Sequence, residues 1–191
     1  MTDYFALLGM ERRPWLEEEA LKEQFHARTL QHHPDTAPSA SGTSGFSEMN
    51  EAYQTLRDPR RRLQHLLQLE KIADSSRDSI PPAIQEMFPA VSETTQLAGK
   101  VLTKARAATS ALSRGLIHAD ILQARTRVEQ VSATLLSIRG TAEHELRSLD
   151  VAWPSGTKEQ FATAQRLQST FAFVSRWLAQ LQETQFQLTQ L

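Results

Sequence analysis

The chain has 191 residues, 40% of them hydrophobic and 23% charged, with a formal net charge of −1 and no cysteine. Such usage is ordinary for a globular protein of one or two small domains, and the missing cysteine excludes disulfides, thiol nucleophiles and zinc or cluster sites on sulfur ligands. Residues 1–70 hold eight basic and eleven acidic side chains, no footprint for nucleic acid, and without an apolar run of membrane length or a charged-then-apolar leader a cytoplasmic, non-membrane protein is expected.

Taken in chain order, Tyr4 to Leu8 predict a short first helix, and Pro14-Trp15-Leu16 lead into a second that begins near Glu17. Glu17, Glu18 and Glu19 suit the positive end of that helix's dipole, and Leu21, Phe25 and His32 fall on one helical stripe. His33-Pro34-Asp35 then ends the helix, because proline cannot continue it and forces the residue before it out of the α region. An imidazole and a carboxylate are thereby held on either side of a rigid proline. Thr36 to Gly45 is all Ser, Thr, Gly, Pro and Ala and is expected as an exposed loop until Phe46.

From Phe46 a third helix places Phe46, Met49, Ala52, Tyr53 and Leu56 on one stripe, and it should pair antiparallel with the second. Asp58-Pro59 supply the N-cap and first residue of a fourth helix that ends near Glu70. Residues 71–80 are polar and serine-rich and predict a linker. Three long apolar stripes follow: Ile84 through Leu112, Ile117 through Leu149, and Ala164 through Leu188. Turns are expected at Ser113-Arg-Gly115 and Trp153-Pro-Ser-Gly156. Short connections between three such stripes predict an antiparallel three-helix bundle, in which Pro89 kinks the first helix or delays its regular part.

The motifs carry a resemblance. Asp3-Tyr-Phe-Ala-Leu-Leu-Gly9, His33-Pro34-Asp35 and Phe46-Ser-Glu-Met-Asn-Glu-Ala-Tyr-Gln-Thr-Leu-Arg-Asp-Pro59 stand in the order and spacing of a J-domain. The frame Asn50, Ala52, Tyr53, Leu56, Pro59, Arg62, Leu66, Leu67 and Leu69 resembles the HscB branch, the J-proteins of iron-sulfur cluster assembly. A helical segment of about 110 residues after the J-domain, with no Gly/Phe-rich region, repeats that layout. The expected protein is all-α: a J-domain over 1–70, a linker over 71–80 and a three-helix bundle over 81–191; Leu66, Leu67 and Leu69 either pack under the J-domain or join it to the bundle, and the second is expected, giving an L-shaped molecule. A monomer or weak dimer without cofactor is also expected.

The same resemblance implies a non-enzymatic co-chaperone. His33, Pro34 and Asp35 would signal to a DnaK/HscA-type ATPase, with Lys22, His26 and Arg28 completing the contact; for each of these three cations a merely solvated helix face is the alternative. Two departures point to a selective partner: Thr36 follows the tripeptide where a Lys or Arg is usual, and Arg28 occupies a normally apolar position, so that either the second helix is rotated slightly or Arg28 lays its stem over the core and offers its guanidinium outward. The bundle would hold an IscU-like scaffold protein through Met87, Phe88, Val91 and Phe173. These four could equally fill the core, since only Glu86 and Glu93 supply acidity there and Pro89 intrudes; Phe173 alone lies outside the stripe of Leu167, Phe171, Val174 and Leu178.

Other chemistries fit poorly. His26 and His33 are two helical turns apart, adjacent His32 and His33 diverge, and no acidic cluster adds ligands, so no metal site is expected. No nucleophile elbow or oxyanion hole is suggested either. The rival functions are a generic J-protein with another client, and a degenerate J-like interaction module without ATPase stimulation.

Overall fold

The structure is a computed structural model and describes residues 1–31, 42–72, 80–153 and 156–191. Their regular elements are all helices, with no strand among the described residues, and compactness divides the chain into two units, Met1–Ser79 with Glu143–Ser169, and Ile80–Ala142 with Thr170–Leu191. The first unit therefore includes residues 143–169, which a linear cut into 1–70 and 81–191 would give to the bundle.

In the first unit, α1 (Tyr4–Leu7) begins where Asp3 accepts the Phe5 and Ala6 amides at 3.0 and 3.2 Å, as a carboxylate N-cap should. It ends in a Schellman motif: the Gly9 N–H reaches Ala6 O, the Met10 N–H reaches Phe5 O, and Gly9 takes φ +67°. Helix α2 (Glu18–Gln31) buries Leu21 and rests Phe25 on Tyr53, ring centroids 4.5 Å apart. His32, expected on this stripe, lies outside the described residues.

Helix α3 (Gly42–Arg57) starts a turn before the expected Phe46. Gly42, Thr43, Ser44 and Gly45 are poor helix formers, so the local sequence reads as loop; yet a helix already held by its packed face extends at one hydrogen bond per residue. The stripe is also shorter than predicted. Met49, Ala52 and Leu56 are buried and Tyr53 half-buried, but Phe46 is 47% exposed. Helix α2 turns Leu30 to solvent at that end, so among the described residues it offers Phe46 no apolar partner there. Arg57 to Glu18 at 3.3 Å and Phe25 on Tyr53 fix the antiparallel register of α2 and α3.

Helix α4 (Pro59–Leu69) starts as predicted, Asp58 accepting the Arg61 amide at 3.0 Å with Pro59 in the first turn. It buries Leu63, Leu66 and Leu67, with Leu69 half-buried.

The second unit is built from α5 (Pro82–Ala107) and from parts of α6 (Ala111–Ala152) and α7 (Lys158–Thr189). Helix α5 starts at Pro82 and runs through Pro89, so the proline does not delay it. Its end differs from expectation: the break comes at Ala108–Ser110, not at Ser113–Gly115. Ser110 and Ser113 cap each other, each amide donating to the other hydroxyl at 3.2 and 3.1 Å, a reciprocal box of the kind that starts helices. Leu112, expected in the first stripe, therefore sits in the first turn of α6, 76% exposed. The second turn falls where predicted, with Gly156 at φ +56° and Thr157 and Gln160 capping each other at 3.3 and 2.8 Å.

The core of this unit brings together Ile84, Val91 and Val101 of α5, Val128 and Leu135 of α6, and Val174, Trp177 and Leu181 of α7. Burial of such side chains, at roughly 1.5–3 kcal/mol each, is what holds long helices side by side. Glu93 with Arg127 and Lys104 with Asp120 set α5 antiparallel to α6, and Phe88 with Phe173 and Thr95 with Gln180 set α5 parallel to α7.

Candidate functional site

The first candidate surface is the outer face of α2. Lys22 and His26, four residues apart, lie on one face; both are exposed, Lys22 meeting Glu19 at 3.8 Å and His26 tilting toward Phe25 at 5.8 Å. Leu30, four further on, is exposed in the same row. His33, Pro34 and Asp35 lie outside the described residues.

Arg28 is placed differently from Lys22 and His26. It is half-buried, and its guanidinium reaches back over the α1 cap, so close that a Cβ on Gly9 would stand 2.6 Å from Nη2. The guanidinium is thus directed inward and not outward, onto a glycine that its positive φ requires.

In the same unit α4 buries two polar side chains, Arg62, which the sequence frame names, and His65, which it does not. Buried Arg62 donates from Nε to Pro14 O and from Nη1 to Leu56 O, both at 2.7 Å, with Trp15 5.9 Å away. Burial pulls its pKa down to about 10 against the pull of Asp58 and Asp150, so it stays charged at neutral pH. His65, also buried, accepts the Tyr4 amide at Nε2, 3.1 Å, and stacks on Tyr4 at 4.5 Å. Burial lowers its pKa, with Asp3 opposing and Arg12 assisting, which favours the neutral ring with its proton on Nδ1. Asp3 is held below the usual carboxylate range: burial raises it, but Arg12 at 2.7 Å and the Phe5 and Ala6 amides outweigh that. A charged side chain at a leucine-rich helix position was the available signal for Arg62.

The second candidate surface is on the bundle, where the four expected residues separate into two pairs. Met87 and Val91 are buried in the core, 8% and 5% exposed. Phe88 is 40% exposed, and Phe173, half-buried, meets it edge-on at 5.8 Å. Trp177 completes the cluster, 4.9 Å from Phe88 and 5.6 Å from Phe173. Its signal was spacing: Trp177 follows Phe173 by four, one turn along the same face. Phe88, Val91, Ser92, Thr95 and Trp177 line a shallow groove of about 270 Å³ next to the aromatics.

Among the described residues no three His, Asp or Glu side chains cluster so as to hold a metal ion, and no helix is long and apolar enough to cross a membrane.

Comparison with known proteins places this geometry. Residues 3–65 match the family model of the DnaJ domain. The chain is similar to the chaperone protein DnaJ of Caulobacter vibrioides, 40% identical over 63 residues, 32% of this chain and 16% of that protein. It is similar also to the co-chaperone protein HscB homologue of Vibrio cholerae, 37% identical over 76 residues, 37% of this chain and 44% of that one. The matches thus span less than half the length of these curated relatives. Among solved structures, chaperone HscB from Vibrio cholerae has the same fold, with a TM-score of 0.54 and 23% identity over 98% of this chain and 99% of that one. Residues 3–65, on α1–α4, thus carry a DnaJ domain, and the helices as a whole follow the fold of HscB.

Proposed function

We propose that the protein is a co-chaperone that docks on a DnaK/HscA-type ATPase through its J-domain and delivers to it an IscU-like scaffold protein held on the bundle. The observation that carries this is a DnaJ domain over residues 3–65 in a chain that shares the HscB fold over 98% of its length. His33, Pro34 and Asp35 form the signalling tip in this scheme. Lys22 and His26 present the adjoining cationic face, while Arg28, turned onto Gly9, braces α2 instead of meeting the partner.

Physically, the partner hydrolyses ATP and this chain supplies no catalytic group. A docked J-domain favours the hydrolysis-competent state only through contacts that differ between the partner's two states, a role that suits a short charged tripeptide such as His33-Pro34-Asp35. Exposed charges on α2 chiefly set the association rate. Phe88 and Phe173 form the scaffold-binding patch, with Met87 and Val91 fixing the helix beneath it. The setting is the cytoplasm, shared with both partners.

Steady-state ATP hydrolysis by the cognate chaperone tests the first half. The wild type should stimulate it and Asp35→Asn should not; a wild type without effect would sink the co-chaperone function. Calorimetry against the IscU-like scaffold of the same organism tests the second. Phe88→Ala should weaken binding about tenfold, as truncation of an aromatic anchor does. If the wild type stimulates the ATPase but binds no scaffold, the client is another protein.

A further inference from the structure

The aromatic patch carries a cation that the fold does not neutralise. Arg176 is exposed, with its guanidinium carbon 4.9 Å from the centroid of Phe173. The positions three and four residues away on its own helix are Ala172, Phe173, Ala179 and Gln180, none of them acidic, and no ion pair joins Arg176 to a carboxylate among the described residues. Glu93, on the facing helix, is directed to Arg127 instead, at 4.0 Å.

A guanidinium over an aromatic ring is positioned in advance, and its planar fork matches a carboxylate in two parallel hydrogen bonds. The adjoining groove of about 270 Å³ is smaller than the usual small-molecule pocket and has room for a single aliphatic side chain. The cation stands over Phe173, and the groove is lined by Phe88 and Trp177, which pack against that ring.

We infer that Arg176 sets the specificity of this surface: the partner segment it accepts places one aliphatic side chain in the groove and a neighbouring carboxylate on the guanidinium. The inference rests on the proposed scaffold-binding function and names the chemistry of the contact. Because Arg176 is exposed, its replacement leaves the core intact, which far-ultraviolet circular dichroism would verify.

The test is calorimetry of the full chain against the IscU-like scaffold at about 0.1 M and about 1 M salt, where screening lengths are about 10 and 3 Å. Arg176→Gln should bind about tenfold more weakly at low salt, with the gap closing at high salt, and Arg176→Lys should recover only part of the loss. Neutralising one scaffold carboxylate beside an aliphatic residue should abolish the difference between wild type and Arg176→Gln. Equal or tighter binding by Arg176→Gln, with Phe88→Ala still defective, would overturn the inference and leave scaffold binding standing. So would a loss that no scaffold carboxylate accounts for. A wild type that binds no scaffold would instead remove the function on which the inference is built.

Discussion

His65 packs its ring between function and stability. It accepts the Tyr4 amide at Nε2 and stacks on Tyr4 and Phe5, at 4.5 and 5.9 Å, so it ties α4 to the start of α1 within the J-domain. Protonation would replace that acceptor by a second donor facing an N–H. Its folded pKa is lowered by burial from an ordinary value of 6.5, so the unfolded chain takes up the proton first as the pH falls. The stabilisation is therefore present above about pH 6.5 and is lost below it, toward the lower folded value. The urea midpoint of the wild type should fall between pH 7.5 and pH 5.5, the range over which an unperturbed histidine titrates about pH 6.5. His65→Gln should start lower and fall less, since it cannot titrate. Equal slopes for the two proteins would exclude His65 as the source. Such a histidine is hidden in the sequence because its role depends on Tyr4, which lies 61 residues earlier.

The helices themselves were legible wherever an apolar stripe had caps at both ends, as in α1 and α4, and less so where the decisive signal was a cap without a break in composition. Ser110 with Ser113 outweighs Gly115 as a helix boundary because a reciprocal cap satisfies two amides at once, whereas glycine inside a long helix costs only about 1 kcal/mol. The end of α4 shows the same economy of signal. The Lys71 N–H reaches Gln68 O at 3.1 Å, the Ile72 N–H reaches Leu67 O at 2.9 Å, and Lys71 takes φ +57°, which is a Schellman motif with lysine where α1 uses Gly9. An L-residue pays about 1–2 kcal/mol for that conformation. Lys71→Gly should therefore raise stability by about 0.5–1 kcal/mol, the gain being trimmed by glycine's larger unfolded-state entropy. Gly9→Ala should do the reverse and cost more, because its Cβ would also displace the Arg28 guanidinium. Urea denaturation of the two variants checks the pair; a destabilised Lys71→Gly would show that the lysine side chain, and not the backbone, governs this cap.

For the molecule as a whole, the least legible feature is that the first compact unit recruits residues 143–169. Periodicity reports which face of a helix is buried, but not what buries it, and Asp150 lies 137 residues from its main partner. That partner is Arg13, whose Nη2 and Nε reach the carboxylate at 2.7 and 3.3 Å, while the Trp15 amide donates to the same group at 3.1 Å. Arg147, one turn before Asp150, stands 4.3 Å over the Trp15 ring. Asp150 is only 8% exposed, so these bonds are shielded from the screening that weakens ordinary surface pairs. The segment linking α1 to α2 is thus clamped by the end of α6, and the J-domain draws stability from residues far outside residues 3–65. Asp150→Asn keeps the volume and one acceptor but removes the charge, and should lower unfolding stability by about 1–3 kcal/mol. Arg13→Gln should cost less, because its side chain is 43% exposed. In a double-mutant cycle the two losses should fall short of additivity by about 1–2 kcal/mol, as expected for groups in direct contact. Strict additivity would mean that Asp150 acts through the Trp15 amide alone. A fragment of residues 1–79, which lacks the clamp, should then unfold at lower urea than the J-domain signal of the full chain, whereas an equal midpoint would show that the J-domain needs nothing from α6.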